Sequence, residues 1–136
     1  KVKKLIKYHK LENKIRIYEP VYEIKKKDYI LQNSDCFILP SKSENFGLSI
    51  GEALSYGLPT LTTTATPWSL IKKYNAGIIF NFSQENLTNS LRIFLNSSDR
   101  EFKEMSNNAK KLIAENYDFS KIIKDYITFY NSIANI

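Results

Sequence analysis

Apolar positions form short runs over the first two thirds of this chain and take up helical spacing over the last third. Residues 1–12 set Val2, Leu5, Ile6 and Tyr8 among lysines at helical spacing, which predicts the end of an amphipathic helix. Ile15-Arg16-Ile17 is rich in β-branched residues and reads as a short strand ended by Pro20. Lys25 to Asn33 reads as a short helix with Tyr29, Ile30 and Leu31 turned inward. Asp35 to Leu39 is an unalternating apolar run stopped by Pro40, the pattern of a strand buried on both faces of a parallel sheet. Ser41 to Gly47 is polar and loop-like. Leu48 to Tyr56 is a helix with Gly57 placed to end it. Pro59 to Thr63 is a third strand, Pro67 or Trp68 opens a short helix to Asn75, and Gly77 to Phe80 is a fourth strand.

The remainder is helical. Gln84 to Asn96 aligns Leu87, Leu91, Phe94 and Leu95, with Ser83 as its cap. Arg100 to Asn116 aligns Phe102, Met105, Ala109, Leu112 and Ile113, and Asp118 to Ile133 aligns Phe119, Ile122, Ile123, Tyr126, Ile127, Tyr130 and Ile133. Strands alternating with helices over residues 15–80 indicate βαβ units, hence an α/β fold with a Rossmann-like, doubly wound parallel sheet and a helical C-terminal segment. Such sheets commonly have about five or six strands. With four here, and an opening Lys-Val-Lys-Lys that reads as mid-helix, the chain is expected to be an N-terminally truncated piece of a longer protein.

Composition narrows the picture further. A chain of 136 residues suits a single domain, 1–136. No apolar run approaches the roughly 20 residues of a membrane span, and no secretory signal pattern is present. Cys36 is the one cysteine, so no internal disulfide can form. It lies in an apolar run and reads as a small core residue in a reducing, cytoplasmic setting. With one His and one Cys, neither a zinc site of the usual ligand types nor any other metal site is expected. The net charge of +6 is concentrated at one end, where residues 1–27 carry ten Lys or Arg against three acids. That stretch is a solvated helix face or a patch for phosphates, nucleic acid or anionic lipid heads. Nucleic acid is not expected, because the basic residues are Lys-dominated, lack interleaved aromatics and belong to no binding motif.

The stretch from Leu39 to Leu54 concentrates the chemistry. It reads strand, loop, helix, and in an open α/β sheet such a loop lies at the carboxyl edge, where ligands bind. Glu44 falls in the loop and Glu52 about one turn inside the helix. Amide N–H groups near Phe46, Gly47 and Leu48 sit at a helix N-terminus, which favours an anion, and Gly47 lets a ligand approach the backbone closely. A nucleotide sugar accounts for both features, with phosphates for the N–H groups and hydroxyls for the carboxylates. On spacing alone, a helix-terminal acid and a solvent-facing acid remain an equal alternative.

The block Asp35-Cys36-Phe37-Ile38-Leu39-Pro40-Ser41-Lys42-Ser43-Glu44-Asn45-Phe46-Gly47 through Glu52-Ala53-Leu54 resembles the E-x7-E region of family-4 glycosyltransferases of the two-Rossmann-domain (GT-B) kind. Gly57-Leu58-Pro59-Thr60, Thr62 to Trp68, Gly77 to Phe80 and Tyr117 to Ser120 extend the likeness, and the Thr-Pro-Trp variant is similar to enzymes building bacterial surface polysaccharide and lipopolysaccharide. The resemblance implies a C-terminal donor-binding domain, Rossmann-like over 1–117, with 118–136 as a helix crossing back to the other domain. It implies that Glu44 is the catalytic-site carboxylate on the donor sugar hydroxyls and that Glu52 holds the ribose. The amides of Asn45, Phe46, Gly47 and Leu48 would then meet the sugar or diphosphate. The implied donor is a UDP-, GDP- or ADP-sugar, used without metal or other cofactor for retaining hexosyl transfer. The implied acceptor is a glycan or lipid-linked molecule held by the absent N-terminal domain, in the cytoplasm or peripherally at the inner face of the membrane. A fragment of this kind is expected to bind donor weakly and to be inactive alone. A non-catalytic nucleotide-binding α/β module or remnant is the alternative.

The chain departs from the family pattern at Glu19, where a Gly-Pro turn often has its Gly, and at Ala65, where Gly is frequent. The family's diphosphate-gripping Arg and Lys match nothing in this chain, and His9 matches no family histidine. Lys42, Ser43, Thr64 and Trp68 are further candidates at the same edge. Trp68 has two readings, stacking on a sugar or acceptor or packing on the sheet at a helix start. The cluster Thr62, Thr63, Thr64 and Thr66 either bonds ligand oxygens or caps turns.

Overall fold

The computed structural model describes residues 1–134, leaving aside the side chains of 119–122. Two compact units divide the chain, residues 1–30 and residues 31–136. In the first, helix α1 (Val2–Tyr8) ends at His9, and Lys10 takes a left-handed conformation. Helix α2 (Ile24–Gln32) spans the division. Neither helix holds a fully buried residue. Val2, Leu5 and Tyr8 are exposed, as is Tyr29, which the spacing had placed inward; Ile30 and Leu31 are half-buried. The strand expected at Ile15-Arg16-Ile17 does not form. The Ile15 N–H donates to the Leu11 carbonyl at 2.9 Å, a turn of helical type, and among the described residues no strand pairs with this run. β-branched composition favours a strand only where a neighbour can accept the ladder.

The second unit carries a three-stranded, fully parallel sheet in the order β1 (Phe37–Leu39), β2 (Thr60–Thr63), β3 (Gly77–Phe80). Ile38 pairs with Leu61, and Leu61 with Ile78, so the expected strands lie side by side in chain order. Central β2 is buried along its whole length, which is why its sequence does not alternate. β3 starts at Gly77, where a Cβ would lie 2.0 Å from the Thr60 carbonyl oxygen; only glycine permits this approach.

Helices cover both faces. On one face, Ile50 and Leu54 of α3 (Leu48–Ser55) and Ile71 of α4 (Leu70–Tyr74) join Trp68 and Leu112, with Phe37, Leu39 and Ile79 of the sheet packed against them. On the other, Leu61 and Phe80 meet Phe94 of α5 (Gln84–Leu95), with Leu87 and Leu91 beside it. α6 (Asp99–Asn116) serves both cores, with Phe102 and Met105 in the second and Ala109, Leu112 and Ile113 in the first. Leu95, one residue and about 100° of helix turn beyond Phe94, is exposed rather than inward. Caps follow the sequence signals: Ser83 accepts from the Asn86 N–H, and Ser98 forms a full capping box with Glu101. Tyr74 bridges α4 to α6, its hydroxyl donating to Glu115 and accepting from Asn116. In α7 (Phe119–Ala134), Ile123, Tyr126, Ile127, Tyr130 and Ile133 are exposed. The inward placement of Phe119 and Ile122 lies outside the described side chains. No helix among the described residues is long and apolar enough to cross a membrane.

Candidate functional site

β1 ends at Leu39 and hands the chain to a loop that re-enters the fold at α3. Ser41 folds its start: its hydroxyl donates to the Ser43 carbonyl and accepts from the Ser43 N–H. The loop ends at Gly47, the N-cap of α3, in a left-handed conformation with φ 72°. An L-residue is disfavoured there, and the glycine also leaves room for Ile50 and Trp68, whose atoms lie 3.2 and 3.3 Å from the position of a Cβ. Having no cap side chain, the helix start keeps its N–H groups uncovered. The six consecutive amides of Glu44 to Ser49 donate no hydrogen bond to any described residue. Glu44 in the loop and Glu52 in the second turn of α3 are both half-buried, whereas Asn45, Phe46 and Leu48 are exposed.

The loop's carbonyls are held on the other side. Three side chains from β2 and the segment after it donate to three carbonyls of the β1–loop stretch. Thr62 Oγ1 reaches Leu39 O at 2.9 Å, Thr63 Oγ1 reaches Ser41 O at 2.5 Å, and Trp68 Nε1 reaches Phe46 O at 2.5 Å. Thr66 turns back onto the Thr63 carbonyl. Of the threonine cluster, Thr62, Thr63 and Thr66 are thus spent on backbone, and exposed Thr64 donates to the Asn81 side chain. Trp68 is 1% exposed and belongs to the core on the α3 face. It stands just before α4 rather than inside it. Lys42 lies over the Phe82 ring at 5.3 Å from its centroid.

A recess of about 390 Å³ opens beside Glu52. Its walls are Phe46, Leu48, Trp68, Ile113 and Tyr117, with Glu52 as its charged member. Phe46, Trp68 and Tyr117 form a mutual aromatic cluster with centroids 5.0–5.9 Å apart. Ile113 of α6 and Tyr117, the residue just after that helix, lie more than 60 residues along the chain from Phe46, so no local pattern could have marked them as wall residues. Cys36, just before β1, is half-buried against the core of Leu61, Phe80, Phe94 and Met105, and burial foremost, with Asp35 second, pushes its thiol up from the ordinary range, the signature of an unreactive cysteine. Among the described residues, no group of three His, Cys, Asp or Glu side chains could hold a metal ion.

A parallel sheet with helices on both faces, and an amide-rich loop flanked by carboxylates at its carboxyl edge, make up an α/β domain of the Rossmann-like class. The chain belongs to the family of glycosyl transferases group 1, whose family model matches residues 1–112. It is 34% identical over 92 residues to sulfoquinovosyl transferase SQD2 of Arabidopsis thaliana, a match covering 64% of this chain and 18% of that enzyme. Its fold matches WaaG, a glycosyltransferase involved in lipopolysaccharide biosynthesis, with TM-score 0.72 at 23% identity, over 87% of this chain and 32% of that one. It also matches sucrose-phosphate synthase from Thermosynechococcus elongatus, with TM-score 0.87 at 14% identity, over 98% and 34% of the two chains. The fold is that of the GT-B glycosyltransferases. The chain spans about a third or less of the length of these relatives.

Proposed function

We propose that this domain binds the nucleotide diphosphate sugar donor of a family-4-type glycosyltransferase. The observation that carries the reading is the run of six amides from Glu44 to Ser49 that donate to no described residue, flanked by two half-buried carboxylates. A ligand suited to it brings anionic oxygens for the amides and hydroxyls for the carboxylates. A sugar diphosphate joined to a ribose has both, in that order. In this reading Glu44 accepts from donor-sugar hydroxyls and Glu52 from the ribose, and the amides of Asn45, Phe46, Gly47 and Leu48 take the phosphate oxygens. Transfer breaks the bond between the anomeric carbon and the diphosphate and forms one to an acceptor oxygen, which gives up its proton. The amides, fixed before reaction, stabilise charge as it develops on the departing diphosphate.

The finer reading is retaining transfer of a hexosyl group to a glycan or lipid-linked acceptor in cell-surface polysaccharide synthesis, at the cytoplasmic side of the membrane. The acceptor would be held by a part of the protein beyond this chain, so this chain alone binds donor without turning it over. Amide spectra test the reading at the atoms concerned. Titrating UDP, GDP and ADP should move the N–H resonances of residues 44–49 ahead of all others for one of the three. Shifts confined to other parts of the chain would refute it.

A further inference from the structure

The three donors that meet the loop from the β2 side differ in what they fix. A peptide unit is planar, and its C=O and following N–H point in opposite directions. Whatever holds a carbonyl therefore aims the next amide. The Thr62 bond to Leu39 O governs the unit leading to Pro40, which has no N–H, and the Thr63 bond to Ser41 O governs the Lys42 amide. The Trp68 bond to Phe46 O governs the Gly47 amide, in the middle of the six that donate to no described residue. The indole is well placed for this. It is 1% exposed, and its six-membered ring rests on Gly51 of α3. Phe46 and Tyr117 pack beside it at 5.3 and 5.0 Å between centroids. A donor so enclosed keeps its direction, and the Phe46 carbonyl drawn toward the core leaves the Gly47 N–H directed away from it.

We propose that Trp68 is the positioning residue of the donor loop. Its indole N–H, by fixing the Phe46 carbonyl, holds the Gly47 amide and its neighbours in the orientation that receives the diphosphate. The ligand then meets amides already ordered, and less of its binding energy is spent on ordering them. The inference rests on the donor-site reading of the loop, but the ordering it describes exists without ligand.

Trp68 is the chain's single tryptophan, so a tryptophan-auxotrophic host fed β-(3-benzothienyl)alanine replaces one indole N–H by sulfur and changes nothing else. Two measurements compare this protein with the unsubstituted chain. The first is the backbone 15N order parameter of Glu44 to Leu48, without ligand. The second is the affinity for UDP, GDP and ADP. The account expects the order parameters of these residues to fall from the rigid range of about 0.85 to below about 0.6, with those of β2 and the body of α3 unchanged. It also expects affinity for the diphosphate that the unsubstituted chain binds to weaken about fivefold, the worth of one hydrogen bond. Thr63→Val, which deletes the donor to Ser41 O while keeping shape, is the companion variant and should loosen Ser41 to Glu44 in the same way. Unchanged order at residues 44–48 after loss of the N–H overturns the proposal, whatever the ligand does. A loop that loosens in a chain binding none of the three diphosphates upholds the positioning role and removes the donor-site reading instead.

Discussion

The six-membered ring of Trp68 lies tightly against Gly51: a Cβ at Gly51 would sit 3.0 Å from Cη2 and 3.1 Å from Cζ2 of the indole. Gly51 immediately precedes Glu52, so the close packing of helix and ring sits beside one of the two carboxylates of the site. Glycine inside a helix ordinarily weakens it by about 1 kcal/mol relative to alanine. Here the ring is enclosed and cannot yield freely, and overpacking costs about 1–3 kcal/mol. Gly51→Ala should therefore lower stability by about 1 kcal/mol in urea melts and shift the emission of Trp68. A variant more stable than the parent would show that the ring can move aside.

The capping box at the start of α6 ties Ser98 to Glu101 in both directions. Ser98→Ala should cost about 1 kcal/mol in thermal or urea melts. The two hydrogen bonds from Ser98, side chain first, hold the Glu101 carboxyl below its ordinary range. A depressed carboxyl contributes stability above its unfolded value of about 4.3, and that contribution disappears as pH falls through the lower folded value. Glu101→Gln should remove this part of the acid dependence, visible as a shallower loss of melting temperature with falling pH. An unaltered acid profile would contradict the assignment.

Cys36 should resist alkylation. Burial keeps its thiol protonated above the ordinary range, and only the thiolate reacts. Iodoacetamide at pH 7.5 is expected to modify it more slowly than a cysteine in an unstructured peptide. The linked effect on stability has the opposite sense to that of Glu101. It is complete below the unfolded thiol value of about 8.5 and is lost as pH rises through the higher folded value. Peptide-like alkylation of the folded chain would show the thiol to be open.

Much of the sheet and its crossovers is legible in the residues themselves. Gly77 to Phe80 is bounded as the pattern has it, and Ser83 caps the next helix as its position suggests. These signals are local: a run, a cap or a turn residue acts within a few positions. Where the outcome depends on distant partners, the pattern misleads. Ile15 to Ile17 has strand composition, yet its first amide is spent on Leu11. Tyr29 and Leu95 have the spacing of inward residues, yet are 67% and 76% exposed. The two carboxylates and the loop amides were visible in the stretch from Leu39 to Leu54, because strand, loop and helix follow one another there. The bond from Trp68 to the Phe46 carbonyl spans 22 residues, and Tyr117 joins the recess from the far end of α6, just past its last residue. Neither leaves a mark on the local sequence.

The central claim is that Glu52 and the neighbouring amides hold a nucleoside diphosphate, and calorimetric titration tests it most directly. UDP, GDP and ADP, free and as their sugars, would be titrated into the wild-type chain and into Glu52→Ala, both shown to be folded. The account predicts binding of one diphosphate by the wild type and its loss, by about tenfold or more, in Glu52→Ala, since a hydrogen bond to a charged group contributes about 1.5–3 kcal/mol. Binding to which Glu52→Ala is indifferent, or a folded wild type that binds none of the three, would contradict it.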